Sequence, residues 1–365
     1  MKFDQAAAFS EISKVLTNYN LGELLHFERN ELGYNNTNFA IQTIRSGEKQ
    51  DYFFRRYKLN IHPDEIKFEH AVINHLIDQN FDLVARVHQT KGGDSYFYTP
   101  TGSDSTLPTF YAIFDFLEGE DKYTWIDPHC SAIEFNDSAS VLAKFHIAVT
   151  DFTPPGRRFQ PKICELMPQI ADYLDTCLKR SKGTSFDTLL EENHAFLLDC
   201  CSDMKVYCAD LQRLEVPHLV IHCDFHPGNL KYSHQEVIAL FDFDWSKIDL
   251  RCFDVALAIW YFFSNWKGAQ KGSLRLDESM QFLKTYQTTL QEFPGLNPLS
   301  QIEIQQLPDM INLSNLYVLY WTITDFYSKP VEPDEYRIYL QHHINCSRWF
   351  TGRGRRLLEE AMISL

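Results

Sequence analysis

The chain has 365 residues, 44% of them hydrophobic and 23% charged, and a net charge of −15. That length suits two domains or one large two-lobed unit, and the composition is that of a globular protein. The negative charge argues against a partner held through nucleic-acid phosphates; it fits a cationic ligand, and more readily a surface kept soluble by charge.

The longest apolar run, around VALAIWYFF (255–263), is too short to span a bilayer. The N-terminal MKFDQAAAFSEISKVL has an acidic residue at position 4 and no long apolar core, so it does not read as a signal peptide. Nine cysteines, at 130, 164, 177, 200, 201, 208, 223, 252 and 346, form no C-x-x-C pair. An odd, unpatterned set argues against a disulfide framework or a structural zinc site and points to a reducing cytoplasm.

Taken in chain order, the first third reads as strands with one helix. NFAIQTI (38–44) and DYFFRRYKL (51–59) are strand candidates on either side of the turn-like RSGEKQ. HPDEIKFEHAVINHLIDQN (62–80) has apolar residues at Ile66, Ala71, Ile73, Leu76 and Ile77, which is helical spacing entered through Pro63 and Asp64. FYAIFDFLEGE is a β-rich run that stops at Gly119. Helical patterns follow: 136–152, capped by Asn136 or Asp137, then 185–214, 251–266, 277–293, 299–327 and 333–350. Among them NLKYSHQEVIALFDFDW reads as a β-hairpin, two apolar runs around a polar turn. The expectation is an α+β chain: residues 1–117 form a small antiparallel-β lobe with one helix, and 118–365 a large helical lobe.

The chemistry concentrates in HCDFHPGN (222–229). His222, Asp224 and His226 suggest a metal-ligating H-x-D-x-H array. That array needs a strand to bring alternate side chains to one face, and Pro227-Gly228 argues for a loop. The same letters give His-x-Asp-x4-Asn, the H-R-D-x-x-x-x-N pattern of kinase catalytic loops with Cys223 in place of Arg. Asp242 follows after the hairpin, in LFDFDW, where the metal-binding Asp of D-F-G would stand. Phosphoryl transfer needs a carboxylate to orient the hydroxyl nucleophile, hard oxygen ligands for magnesium and a cation on the phosphates. Asp224 is the candidate catalytic base, and Asn229 and Asp242 the candidate metal ligands. Taken singly, each fits a turn, a cap or a strand end; in register around a hairpin they form a set. His222 reads as a histidine bracing the loop.

The first lobe holds candidates for the nucleotide. Arg55, with Arg56 beside it as a competing register, would pair with Glu69 on the following helix to position phosphates. GYNNTNF, with Gly33 and Asn38, is a turn whose amides would cover them, although an ordinary hairpin turn fits nearly as well. Phe116 and Leu117, in FDFLEG, stand where a hinge would offer backbone groups to adenine.

These segments resemble the aminoglycoside phosphotransferase and choline kinase superfamily, small-molecule kinases with a protein-kinase-like fold. VIHCDFHPGN looks like that family's HGDLHPGN brace, and ALFDFDW with FDVALA like its metal-binding segment and the helix after it. NYNLGEL, NNTNF and FDVALAIWYFFSNW look most like homoserine kinase-type members. The resemblance implies ATP, Mg2+ and transfer of the γ-phosphate to a hydroxyl of an amino alcohol, a homoserine-like amino acid or an aminoglycoside, a cationic or zwitterionic acceptor among them. It implies a bracing role for Asp254. Arg55 stands where many members have lysine, and Cys223 replaces a glycine, which is tolerable unless that glycine needs positive φ. The competing class is a kinase-like binding module without catalysis. Trp260, Trp321, Asp325 and Tyr327 either line an acceptor pocket or, at their helical spacing, belong to the core.

Overall fold

The computed structural model describes residues 3–30, 36–100 and 107–363. The chain divides into two compact units. The first runs to Gly119 and takes in Thr153–Phe159; the second comprises Glu120–Phe152 and the chain from Gln160 onward. Among the described residues no helix is long and apolar enough to cross a membrane.

The first unit contains α1 (Gln5–Leu16), β1 (Glu23–Asn30), β2 (Thr37–Arg45), β3 (Glu48–Arg56), α2 (Pro63–Asp78), β4 (Phe97–Thr99) and β5 (Thr109–Asp115). Its antiparallel sheet has the order β1-β2-β3-β5-β4. The hairpin between β2 and β3 is tighter than the sequence suggests, because Arg45 pairs with Glu48 across Ser46-Gly47. The strand residues Glu48–Asp51 are exposed, so no apolar alternation marks them in the sequence. Helix α1 is a second helix that the sequence reading omits. Asp4 caps it by accepting the Ala7 N–H at 3.0 Å. Its buried Ala8, Ile12, Val15 and Leu16 fall on one face and pack with Phe27, Phe39, Ile41, Phe54 and Ile113.

The strand period of two puts Phe54 on that α1 face and Arg55 on the opposite face. Asn38 and Ala112, the cross-strand partners of Arg55, share its face. Helix α2 serves this second face with Ile66, Glu69, His70, Val72 and Ile73. Segment Thr153–Phe159 joins the unit because Gly156 lets two backbones touch. A Cβ there would lie 2.4 Å from the Asp64 carbonyl oxygen, and the Arg157 N–H donates to that same oxygen at 3.0 Å.

The second unit contains α3 (Ala132–Ala148), α4 (Ile163–Cys177), α5 (Ser185–Leu211), β6 (His218–Ile221), β7 (Leu230–Ser233), β8 (Glu236–Leu240), β9 (Lys247–Leu250), α6 (Arg251–Phe263), α7 (Leu276–Glu292), α8 (Gln301–Ser328), α9 (Pro333–Trp349) and α10 (Arg355–Met362). Helix α3 starts earlier than its apolar pattern suggests. Ser131, not Asn136 or Asp137, caps it, in a reciprocal box with Glu134. Besides the expected hairpin β7–β8, a second two-stranded sheet joins β6 to β9. Each of its strands has four residues, and the partners are far apart in sequence, so no local turn signals the pairing. All 13 residues of α6 are buried, which explains the unbroken apolar run there.

Candidate active site

The loop 222–229 leaves the end of β6, and β9 pairs with β6 before leading into α6. The first turn of α6 thereby reaches back to the loop. Asp254 accepts the His222 N–H at 2.9 Å on Oδ2 and the Cys223 N–H at 2.8 Å on Oδ1. His146 approaches Oδ2 to 3.1 Å through Nε2, while its Nδ1 faces the Tyr286 hydroxyl at 2.7 Å. Burial lowers the His146 pKa against the opposing pull of Asp254. The neutral ring then donates from Nε2 and accepts the tyrosine proton at Nδ1. One buried carboxylate thus satisfies three donors, two of them backbone groups of the loop.

Cys223 adopts φ +62°, a left-handed conformation that glycine takes freely and other residues pay for at roughly 1–2 kcal/mol. Positive φ is therefore a demand of this position, and the thiol side chain meets it under strain. Two contacts hold it there, the N–H bond to Asp254 and the 3.4 Å approach of Sγ to the Tyr317 hydroxyl.

His222 is fully buried, and burial lowers its pKa despite the nearby Asp254 and Asp224. Its Nε2 lies 3.0 Å from the Phe241 carbonyl, which can only accept, so the ring is the donor. It ties the loop to the residue before Asp242. His226 accepts the Gly228 N–H on Nδ1 at 3.0 Å and turns Nε2 toward Asp224 at 3.6 Å. Both rings hold the loop in shape. Among the described residues no group of three or more His, Cys, Asp or Glu side chains converges as a metal site.

Asp224 lies with its side chain 19% exposed. The Tyr261 hydroxyl donates to Oδ1 at 3.0 Å, and Asn229 Nδ2 donates to Oδ2 at 3.0 Å and to the Asp224 carbonyl at 2.9 Å. Burial pushes the carboxyl pKa up, but the His226 ring and the Tyr261 hydroxyl outweigh it and leave the group below its ordinary value. Because the amide nitrogen of Asn229 is committed to Asp224, its Oδ1 is the atom left for a ligand. The Phe241 N–H donates to the Asn229 carbonyl at 3.1 Å, extending the β7–β8 ladder by one rung. Asp242, the next residue, is thus carried to the same end of the hairpin as Asn229. It too is left-handed (φ +65°, ψ +60°), which aspartate tolerates better than most residues. An amide oxygen and a carboxylate form a hard donor set that suits a magnesium-like cation and not a thiophilic one.

In the first unit, Arg55 donates to Glu69 Oε1 at 2.8 Å with both side chains buried. The guanidinium also lies 5.3–5.9 Å from the ring centres of Phe53, Tyr57 and Phe114. Tyr57 donates to Glu69 Oε2 at 3.2 Å, which fixes the second carboxylate oxygen. Arg56 points elsewhere, to Glu11 and Thr37. Asn38 Oδ1, buried on the face of Arg55, has no partner among the described residues. Phe116 is exposed and Leu117 half-buried, just beyond the end of β5. Gly33 lies outside the described residues.

The later-helix candidates divide. Trp260 is fully buried and stacked on His343 with an interplanar angle of 9°, so it belongs to the core. Asp325 pairs with Lys329, and Tyr327 donates to Asp187 at 2.7 Å. Trp321 is half-buried against the Trp245 ring, 4.7 Å away. Sequence reasoning passed over Tyr261 and His146. The signal for Tyr261 was there: it follows Asp254 by seven residues, two turns along one helix face. His146 carried no local signal, because its partners lie on α6 and α7.

Known proteins resemble this chain in sequence and in fold. The family model described as "Phosphotransferase enzyme family" matches residues 26–286. A homoserine kinase of Parvibaculum lavamentivorans is 24% identical over 343 residues, covering 91% of this chain and 93% of that protein. Among solved structures, a microcompartment-associated aminopropanol kinase superposes with a TM-score of 0.66 at 17% identity, covering 95% of this chain and 99% of that one. Amicoumacin kinase hAmiN, in complex with AMP-PNP, Ca2+ and Ami, gives a TM-score of 0.61 at 15% identity over 95% and 94%. These structures share the kinase-like fold of this chain.

Proposed function

The chain belongs to the phosphotransferase enzyme family and is an ATP-dependent kinase of small-molecule alcohols; from that premise we propose that its acceptor is a short amine-bearing alcohol, homoserine first, with an amino alcohol or aminoglycoside as the runner-up. The homoserine kinase likeness over nearly the whole of both chains supports the first choice. The net charge of −15 suits a cationic or zwitterionic acceptor.

The observation that carries the mechanism is the carboxylate of Asp224 held by two donors, the Tyr261 hydroxyl on Oδ1 and Asn229 Nδ2 on Oδ2, both of which favour its ionised form. Asp224 orients the acceptor hydroxyl and takes its proton as the oxygen attacks the γ-phosphorus of ATP; ADP leaves. Asn229 Oδ1 and Asp242 would hold Mg2+, whose chemistry is to neutralise charge on the phosphates. In the first unit Arg55, fixed by Glu69, serves the phosphates, with Asn38 beside it. The backbone at Phe116 and Leu117 serves adenine. All nine cysteines are free, which suits a reducing cytoplasm.

ATP consumption against a panel of homoserine, aminopropanol, ethanolamine and aminoglycosides tests the acceptor. Asp224→Ala should lower turnover roughly 10²–10⁴-fold with the fold intact. Turnover near that of the wild type in this variant would remove Asp224 from the base role. Tight ATP binding with no acceptor phosphorylated would favour the non-catalytic binding module.

A further inference from the structure

The Arg55–Glu69 pair ends a longer chain of hydrogen bonds within the first unit. Glu69 accepts Arg55 on Oε1 at 2.8 Å and the Tyr57 hydroxyl on Oε2 at 3.2 Å. That same hydroxyl lies 2.9 Å from His70 Nε2, and His70 Nδ1 lies 2.8 Å from the Ser95 hydroxyl. Arg55, Tyr57, Glu69 and His70 are buried, and Ser95 is half-buried. We infer that this Ser95–His70–Tyr57–Glu69 relay sets where the Arg55 guanidinium stands, and that Tyr57 and His70 are positioning residues for the phosphates of ATP. The inference rests on the reading above that Arg55 serves those phosphates.

The relay has one direction. A carboxylate only accepts, so Tyr57 spends its single proton on Glu69. The Tyr57 oxygen then accepts from His70, which places the ring proton on Nε2. In the neutral imidazole Nδ1 is left as an acceptor, and the Ser95 hydroxyl donates to it. Every link donates toward Glu69, and Arg55 donates to the same carboxylate from the other side. Bonds running in one sense polarise one another, and in a buried setting each is stronger than in water.

Sequence and packing explain why these residues meet. A strand alternates its faces, so Tyr57, two residues after Arg55, stays on the same side. Its N–H donates to the Phe110 carbonyl at 3.0 Å, which keeps it alongside β5. Glu69 and His70 are neighbours on α2, and both are buried. The Phe114 ring of β5 lies 5.3 Å from the guanidinium carbon and 5.6 Å from the His70 ring, at 81° to it. The terminal torsion of a glutamate is broad, and a bond on each oxygen narrows it. With Oε2 fixed by Tyr57, the position of Oε1 dictates where the guanidinium lies.

The test measures the dissociation constant of ATP with Mg2+ for the full chain by calorimetric titration, which needs no acceptor. Tyr57→Phe keeps the ring beside the guanidinium and removes only the hydroxyl; it should weaken ATP binding about fivefold. His70→Leu should weaken it by a similar factor, and His70→Gln, whose amide can still donate to Tyr57, by less. The deciding variant is the double. Arg55→Met alone should weaken binding about tenfold, and adding Tyr57→Phe should weaken it no further, where independent effects would multiply to roughly fiftyfold. A tyrosine that merely supported the fold would weaken binding in both backgrounds. Ser95→Ala, at the half-buried end, is the mildest change and tests the relay even if Tyr57→Phe unfolds. It should raise the constant about twofold in the wild type and leave it unchanged in Arg55→Met. Wild-type affinity in Tyr57→Phe or in Ser95→Ala, or a multiplicative loss in the double variant, overturns the inference alone. Unchanged ATP affinity in Arg55→Met overturns the role of Arg55 at the phosphates, and this inference with it.

Discussion

Replacing Asp254 by asparagine should disable the protein twice over. The carboxylate takes three donors, the N–H groups of His222 and Cys223 and the His146 Nε2–H. The side chain is fully buried, so water cannot substitute. An asparagine of the same shape can set its carbonyl where Oδ2 was and keep His222 and His146. Its NH2 then faces the Cys223 N–H, donor against donor. One charge-assisted bond is lost, at about 1.5–3 kcal/mol, and the other two weaken with the charge, so the sum is about 3–4 kcal/mol. Alanine would orphan all three donors at about 1–3 kcal/mol each, which approaches the whole stability of a typical domain. The second effect is local. The Cys223 N–H bond helps hold a left-handed residue in place, and without it Cys223 can relax and carry Asp224 with it. A misplacement of about 1 Å costs on the order of 100-fold in rate. Urea unfolding followed by circular dichroism gives the first quantity. Turnover under conditions where the variant is folded gives the second. If Asp254→Asn matches the wild type in urea midpoint and in turnover, the account of Asp254 as the anchor of the loop is wrong.

Arg55→Met should raise the KM for ATP about tenfold and cost about 3 kcal/mol of stability, because it leaves Glu69 buried without its cation; Arg55→Lys should recover much of the ATP affinity but not the stability, since the stacked guanidinium is lost. ATP titration and thermal unfolding separate the two effects. Glu134 gives a pH signature. Burial favours its neutral form, but bonds from Lys122, Tyr123 and Ser131 bring the carboxyl down from 4.5 to about 2. A depressed folded pKa stabilises fully above the unfolded value, so the contribution of about 3 kcal/mol is present above pH 4.5 and fades as the pH falls toward 2. The stability gap between wild type and Glu134→Gln, measured in urea at pH 7 and pH 3, should narrow at the lower pH; a constant gap would rule the carboxylate out as its source.

Local patterns alone carried much of this protein. Alternation in NFAIQTI and YFFRR, helical spacing after Pro63 and the apolar length of α6 each reflect one face, or every face, turned to a core. The spacing from Asp224 to Asn229 and the hairpin to Asp242 were legible for the same reason: the candidate base and metal ligands lie within a short stretch, and a two-stranded ladder aligns its ends. The Arg55–Glu69 pairing was legible as a strand-to-helix step, although choosing Arg55 over Arg56 needed the pleat, which turns neighbouring side chains to opposite faces.

What escaped the sequence was set by contacts between distant segments. Ser131 took the cap of α3 because Glu134 answered it, not because the apolar pattern began there. Strands β6 and β9 have four residues each and become strands only on meeting. The demand for positive φ at Cys223 comes from Asp254, 31 residues on. The hydroxyl that donates to Asp224 Oδ1 is that of Tyr261, 37 residues on, and the Thr124 backbone lies against the loop because Gly228 has no Cβ to keep it away. Sequence fixes which groups are available and the local backbone they prefer; which oxygen of Asp224 faces which donor is decided only when α6, β7 and the 120–131 segment pack together, because hydrogen bonds and ring contacts act over a few ångströms in space and know nothing of distance along the chain.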